Sequence, residues 1–555
     1  PRPNEPLAPA SGDVSLLLRP SNTGYIVDDG DPYPYFRRSP TSDWVTVTGS
    51  GGWNNDYLYA LANNNGDWAE WHPDLQTGWY EVWVHYRAHP NRRDDAEYKI
   101  YHAGGVARHL VNQQLLANGN PAPPAGADSD WIRLGTYRFL GNMYFDYVRL
   151  SDITTPLGSP TPGYVIADAA KFAPLEVWVD DDYYDMGMND GKLWGVNAFD
   201  RIQDGLLAVA SNGTVWVKPG TYIGPITITK GITLTSTGGA STTVITVTAS
   251  AGTAVWVLAG GATVKGFTVQ SNGAEWGIAD GSTGLWTWEV VDYRVTNNIV
   301  HGFGNGIVFY RAKGEVSHNQ VYSNTQRGIW IQEFPTSVPG ATSVLSNTLY
   351  GNGGAVADYD IQIHDSYTGT AVMGNRITGS GGASEAGIFV YNTAGDLVLT
   401  GNTITGCTEG VLILQDSGTG IIQKVNLYRN EITGGGTGVR VRRTGGTSSL
   451  RQVTIGGSLA NSNRIYNNSG YELRLTGYSA SITATHNYWG LCTWREIEDE
   501  IYHDYDSAAL GLVTYEPALC VPAQIDVQAA PLTLPADGVS TSVITVTATD
   551  FFGNP

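Results

Sequence analysis

The side chains best equipped for chemistry lie at alternate positions of a short phrase that recurs through the second half of the chain. It reads G-I-V-F-Y from Gly306, G-I-W-I-Q from Gly328, D-I-Q-I-H from Asp360 and G-I-F-V-Y from Gly387, then G-V-L-I-L from Gly410, G-V-R-V-R from Gly438 and E-L-R-L-T from Glu472. Alternation of period two predicts strands with one buried face. The opposite face then carries two rows. One holds Val308, Trp330, Gln362, Phe389, Leu412, Arg440 and Arg474; the other holds Tyr310, Gln332, His364, Tyr391, Leu414, Arg442 and Thr476. Rings stack on sugar faces and guanidinium groups pair with acidic substituents. Tyr310, Trp330, Gln332, Glu333, Phe389, Arg442 and Arg474 are therefore the candidate substrate-binding residues. A lyase acting on a uronate needs a base for the proton α to the carboxyl group and a cation to neutralise that group. His364 or Tyr391 with Arg440 or Arg442 fits those roles. A hydrolase needs two carboxylates ~5–9.5 Å apart, and Asp365 with Glu333 or Asp416 are the pairs at hand. The candidate catalytic set is His364, Asp365, Arg440 and Tyr391; the competing expectation is a mixed outer face with no catalysis.

What positions these rows is a second recurring phrase, a small or polar residue followed by Asn, any residue and an aliphatic. It places Asn298, Asn319, Asn347, Asn375, Asn402, Asn430 and Asn463 at intervals of 21 to 33 residues. A period in the twenties with Gly-rich insertions marks a solenoid. Each coil is read as short strands joined by turns, with Asn and Gly at corners that need left-handed backbone angles. Stacking would bury Ile307, Phe309, Ile329, Ile331, Ile361, Ile363, Ile388 and Val390 in one ladder and pile the Asn side chains over one another. From 177 to 522 the chain resembles right-handed parallel β-helix proteins of the pectate-lyase-like superfamily. The likeness rests on V-W-V-D-D-D-Y from Val177, A-F-D-R-I-Q-D-G-L from Ala198, G-T-V-W-V-K-P-G-T-Y from Gly213, H-N-Y-W-G from His486 and V-T-Y-E-P from Val513. It implies the fold and leaves activity open, because lyases, hydrolases, epimerases, adhesins and inert scaffolds share it. The D-P-x-D phrase of uronan epimerases is missing, as is the acid cluster of calcium-dependent pectate lyases.

Length and composition bound the rest. At 555 residues the chain has room for about three domains. Charged residues make up 15%, there are 69 Gly, and 52 acidic against 32 basic side chains give a net charge of −20. That suits an all-β extracellular or cell-surface protein and argues against nucleic acid or anionic membrane as partner. No window reaches the ~18 apolar residues of a spanning helix. The opening Pro-Arg-Pro is read as a trimmed form whose export signal has been removed. Of three cysteines, Cys407 reads as a small buried residue, while Cys492 and Cys520 bracket one segment and could pair in an oxidising compartment.

In chain order, 1–23 reads as a linker and 24–174 as an antiparallel sandwich dense in Trp and Tyr. Within it Trp68, Trp71, Trp79 and Trp83 are either core or sugar-stacking residues, and the five His between His72 and His109 lack a metal-ligand spacing. This part resembles the golvesin and xanthan-lyase carbohydrate-binding-like domain. The matching phrases are Y-I-V-D-D-G-D from Tyr25, W-A-E-W-H-P-D-L from Trp68, G-W-Y-E-V-W-V from Gly78, H-A-G-G from His102, Gln113–Gln114, W-I-R-L-G-T-Y-R-F from Trp131 and V-I-A-D-A-A-K-F from Val165. The resemblance implies glycan binding. Residues 175–212 form a connector and N-terminal cap, where Asp180, Asp181, Asp182, Asp185 and Asp190 are a candidate Ca²⁺ cluster; 199–210 is expected to be helical. The solenoid follows at 213–490 and a C-terminal cap at 491–522. Residues 523–555 resemble the opening of an invasin-type bacterial immunoglobulin-like repeat. Two or three strands cannot bury both faces of a sandwich. Either the natural chain continues, or another molecule completes these strands by strand addition. Two readings result: a glycan-binding, adhesive or filament-forming surface protein, or a polysaccharide lyase or hydrolase working along the outer face.

Overall fold

The structure, a computed structural model, describes residues 25–39, 43–63, 65–153, 163–280, 290–332, 341–354, 359–364, 369–379, 386–391, 395–415, 424–445, 452–519, 524–531, 533 and 540–549. The chain divides into two compact units, Pro1–Val215 and Trp216–Pro555.

The first unit is built on antiparallel sheets. One runs in the order Tyr25–Asp28, Ala169–Pro174, Gly78–His85, Ile132–Phe139; a five-stranded sheet is centred on Tyr147–Ser151; a three-stranded one contains Val45–Thr48, Asp56–Leu61 and Tyr164–Ala167. Their inward residues alternate along each strand, so Tyr80, Val82 and Val84 pack with Tyr98, Ile100, Val148, Leu150, Phe139 and Phe172, all fully buried. Burying each such side chain is worth ~1.5–3 kcal/mol. Residues Glu176–Val179 then pair in parallel with Ala198–Phe199, and the helix Ile202–Ala208 follows. That helix is shorter than the expected 199–210.

The second unit is a parallel β-helix. Strands stack into three long parallel sheets, one of eleven strands running from Ile226–Ile228 to Ile501–Tyr502 among the described residues. Ile307, Phe309, Ile329, Ile331, Ile361, Ile363, Ile388 and Val390 are all inaccessible to solvent. The Asn ladder forms and extends one rung past the repeats read from the sequence, to Asn487, with every member 2% exposed or less. Each side chain ties three coils together. In Asn375, for example, Nδ2 donates back to the Val344 carbonyl (2.9 Å) and onward to Asn402 Oδ1 (3.0 Å), while Oδ1 accepts from the backbone N–H and Nδ2 of Asn347.

One detail departs from expectation. The left-handed residue at this corner is the one before the Asn: Asn297, His318, Ser346, Gly374, Gly401, Arg429 and His486 all have φ between 53° and 65°. The ladder Asn is needed for its amide, not for its backbone. Close approach fixes other positions: a Cβ on Gly328 would lie 2.7 Å from the Asp360 carbonyl and 2.9 Å from Asn352 Nδ2.

At the solenoid's C-terminal end, Thr493 caps the helix Trp494–Asp499 in a capping box with Glu496. Cys492 is disulfide-bonded and Cys407 is free and buried; Cys520, the expected partner, lies outside the described residues. The last two strands, Gln524–Ala530 and Val543–Thr549, pair antiparallel with each other.

Candidate functional site

The eleven-stranded sheet carries the two rows in the register their alternation predicts. Val308 pairs with Trp330, Trp330 with Gln362, Gln362 with Phe389, Phe389 with Leu412, Leu412 with Arg440 and Arg440 with Arg474. Gln332, His364, Tyr391, Leu414, Arg442 and Thr476 follow one another in the second row. The face is less open than expected: Val308, Gln332, Gln362 and Phe389 are buried, and Tyr310, Trp330, His364, Tyr391, Arg440 and Arg474 are half-buried. Arg442 is exposed.

The face has two chemically distinct halves. In the first, Tyr310 meets Trp330 edge-on at 5.6 Å, and Tyr359 stacks on Phe389 at 4.3 Å. His364 packs edge-on against Tyr391, centroids 4.5 Å apart. Arg327 lies 4.5 Å over the Trp330 ring, donates to Asn305 Oδ1 (3.0 Å) and donates to Gln362 Oε1. Burial, and then the positive charge of Arg327, push the His364 imidazole down to about 4, so it is uncharged at neutral pH. In the second half the guanidinium groups dominate. Arg440 pairs with Glu409 at 2.5 Å and donates to Thr476 Oγ1 (3.3 Å), while Arg474 sits 5.6 Å over Tyr471 and 5.5 Å over Tyr502.

The lyase pairing of His364 with Arg440 is not formed. Three strand steps separate their positions, about 14 Å at the ~4.8 Å spacing of neighbouring strands, and Arg440 is already matched by Glu409. The cation acting on His364 is Arg327, which the sequence reading missed. Counting back by twos from Ile329 puts Arg327 in the core, but the alternation breaks at Gly328 and sends the side chain to the outer face with Tyr359 and Glu409 in register. Asp365, Glu333 and Asp416, the carboxylates of the hydrolase alternative, lie outside the described residues.

The sandwich offers two further aromatic surfaces. Tyr33, Tyr144 and Phe145 are 75%, 61% and 69% exposed, with Arg37 lying 5.1 Å from the Tyr33 ring and 5.3 Å from the Tyr144 ring. Within the same unit a cleft of about 460 Å³ is lined by Trp79, Glu176, Trp178, Lys192 and Asn197 among others. Lys192 lies 4.9 Å over the Trp178 ring, and Trp79 is 56% exposed. The four Trp weighed as core or platform thus divide: Trp71 is core, Trp79 is open, and Trp68 and Trp83 are half-buried. His72 and His85 are buried structural residues bonded to Glu70 and Asp168.

The carboxylates of the Asp180–Asp190 run are not among the groups of three that converge among the described residues. Asp180 accepts from the Asp182 backbone (3.2 Å) and Asp190 from the Tyr183 hydroxyl (3.0 Å). Among the described residues the grouping that brings three carboxylates together is Asp28, Asp29 and Asp168, in the sandwich. These residues were visible as Y-I-V-D-D and V-I-A-D, but 139 residues separate Asp29 from Asp168, so spacing gave no sign of their meeting.

Residues 26–174 match the family described as the Golvesin C-terminal domain, and residues 208–434 match the family described as periplasmic copper-binding protein (NosD). A xanthan lyase of Bacillus sp. (strain GL1) is 32% identical over 159 residues, 28% of this chain and 15% of that protein. The chain therefore spans a small fraction of that relative's length. Among solved structures, Paenibacillus xanthan lyase is 28% identical over 27% of this chain and 13% of its own, with a TM-score of 0.22. The catalytic domain of a GH87 alpha-1,3-glucanase in complex with tetrasaccharides covers 89% of this chain and 98% of its own at 12% identity and a TM-score of 0.33.

Proposed function

We propose that this chain is an extracellular or cell-surface protein that binds an extended acidic polysaccharide along the outer face of its solenoid, with the sandwich as a second glycan-binding module. The observation that carries the reading is the registered succession of rings and guanidinium groups from Tyr310 to Tyr502. Each coil advances ~4.8 Å, so one sugar spans roughly one coil, stacking on rings over the first half and pairing its acidic groups with Arg442 and Arg474 over the second. The likeness of 28% of the chain to part of a protein named xanthan lyase supports a glycan as ligand. The Cys492 disulfide fits an oxidising compartment, and no helix among the described residues is long and apolar enough to cross a membrane. Copper is not carried over from the matched family's description. Within 208–434 the sequence offers one Met and one Cys, Met373 and Cys407, and no three His, Cys, Asp or Glu converge among the described residues there.

A second reading, a lyase, is favoured by one feature: an uncharged His364 beside Tyr391 and within the field of Arg327. His364 or Tyr391 would take the α proton, and Arg327 would neutralise the uronate. Incubation with a panel of acidic and neutral polysaccharides, following binding, 235 nm absorbance and reducing ends together, separates the readings. Binding without product, weakened by Trp330→Ala and Arg474→Ala, is the expected outcome. Product lost on His364→Ala makes it an enzyme; neither binding nor product removes both. The immunoglobulin-like character of the C-terminal strands, and self-association through them into an adhesive or filamentous assembly, belong to the same proposal. Light scattering of the chain at high concentration tests them, and monomers throughout would rule out assembly.

A further inference from the structure

The sandwich contains a buried anionic cluster that its own side chains do not neutralise. Asp28 ends its strand opposite Ala169, which also pairs with His85. That register brings Asp28, Asp29 and Asp168 together, with ligand oxygens within 4.8 Å of one another. Asp28 is 7% exposed and Asp168 is fully buried. A fourth carboxylate, Asp56, stands close by: the position a Cβ would take on Gly30 is 3.7 Å from Asp56 Oδ2 and 3.8 Å from Asp28 Oδ2.

The hydrogen bonds around the cluster hold some oxygens and leave others bare. Asp168 accepts from the Trp53 backbone N–H (3.0 Å) and from His85 Nδ1 (2.8 Å), and Asp28 Oδ2 accepts from Asn54 Nδ2 (2.6 Å). Asp28 Oδ1, Asp29 Oδ1 and Asp56 Oδ1 are buried and without a hydrogen-bond partner. The charges bearing on Asp28 and Asp29 come from Asp168, Asp56 and, for Asp28, Asp31, and all of them are like charges. Among the described residues the one ion pair made by the three is His85 with Asp168. Buried unpaired carboxylates this close repel strongly and lack the water that would solvate them. The surrounding backbone nonetheless holds the arrangement in place: Gly52 and Asn54 take left-handed angles (φ 91° and 55°) that aim the Trp53 N–H and the Asn54 amide at it.

We propose that Asp28, Asp29 and Asp168, with Asp56 beside them, hold a divalent cation, and that the cation is Ca²⁺. The donor set is all hard oxygen, without thiolate and with its nearest imidazole committed as a donor to Asp168, which disfavours zinc and copper. Three converging carboxylates, with Oδ1 of Asp28, Asp29 and the neighbouring Asp56 left without hydrogen-bond partners, suit the many-oxygen shell Ca²⁺ takes, whereas Mg²⁺ holds on to its waters and is served by one or two carboxylates. Asn54 and His85 fix the orientation of the ligating groups from outside. The bound ion would tie together the strand ends at Asp28 and Asp56 and the Asp168 turn, and so set the position of the Trp53 loop.

The test uses the full chain stripped with EDTA, then titrated with CaCl₂ or MgCl₂ by calorimetry, with Tb³⁺ as an emissive substitute excited through Trp. One Ca²⁺ per chain is expected, with a raised melting temperature for the sandwich, weaker Mg²⁺ binding, and Tb³⁺ emission displaced by Ca²⁺. Asp28→Asn and Asp29→Asn should each abolish Ca²⁺ binding while melting no lower than the wild type in EDTA, since each removes a repelling charge without changing shape. His85→Ala should weaken Ca²⁺ roughly tenfold to a hundredfold, and Asp181→Asn should leave it unchanged. No saturable Ca²⁺ binding at millimolar concentration, or binding undiminished in both Asn variants, overturns the assignment.

Discussion

Two buried polar clusters in this protein differ in how fully they are satisfied. The ladder from Asn298 to Asn487 is almost fully enclosed, and each amide up to Asn463 finds partners on the coils before and after it. The Asp28–Asp29–Asp168 cluster is less tightly enclosed, with Asp29 partly exposed, yet buried oxygens of two of its members find none. A repeat can satisfy buried polar groups with copies of themselves, because an amide donates and accepts in equal measure. A carboxylate only accepts, so a cluster of carboxylates needs protons or a cation from outside. The first arrangement is structural and complete; the second is a demand for a ligand.

The comparison can be tested, beginning with its largest consequence. Asn375→Ala removes the side-chain bonds to Val344 and Asn402 and strands the donors on Asn347. At ~1–3 kcal/mol per buried group left unpaired, a loss of about 3 kcal/mol or more is expected in denaturant unfolding of the solenoid, against little for an exposed turn residue. Trp330→Ala should weaken polysaccharide binding about tenfold, the equivalent of ~1.4 kcal/mol, measured by affinity electrophoresis or calorimetry at a temperature where the variant remains folded. Asp29→Asn in EDTA should raise the sandwich melting temperature by roughly 2–4 °C, the shift ~1 kcal/mol produces in a unit of this size; a lower value would mean that the cluster is not self-repelling. Arg440→Ala leaves the largely buried Glu409 carboxylate without its partner and should cost about 1 kcal/mol.

His364 adds a pH dependence of definite sign. Its folded-state value of about 4 lies below the ordinary 6.5, so the unfolded chain binds the proton more readily between those values. The contribution of His364 is therefore full above pH 6.5 and is lost as pH falls towards 4. His364→Gln should flatten the solenoid's stability profile over that window. Ligand binding should stay level from pH 5 to 8, and a transition near pH 6.5 that His364→Gln removes would show the imidazole to be open to water.

Much of the solenoid was legible in the residues. The Asn intervals and the G-I-W-I-Q type of alternation fix coil length, the inward aliphatics and the order of both outer rows, because a strand's side-chain period is set by backbone geometry. What failed is equally specific. Arg327 was misplaced because the alternation breaks at Gly328 within its strand, and His364 was matched to Arg440 on chemistry alone although the row order Gln362, Phe389, Leu412, Arg440 already set them three coils apart. Asp180, Asp181 and Asp182 looked like a cation site because they are adjacent, but they stand in a turn in which Asp180 Oδ1 accepts from the Asp182 backbone N–H and the Tyr183 N–H donates to the Asp180 carbonyl.

By itself, then, the sequence determined the all-β character, the repeating coil with its aliphatic interior and Asn spine, and the presence of an aromatic-rich sandwich before it. These follow from local periodicity, which each segment carries within a few residues. Only the tertiary structure decided which charged groups meet: Arg327 with the Trp330 ring, Arg440 with Glu409, and Asp28 and Asp29 with Asp168. Such encounters depend on strand order and register between segments far apart in the chain, and electrostatic interaction falls with distance in space, to which separation in sequence is no guide.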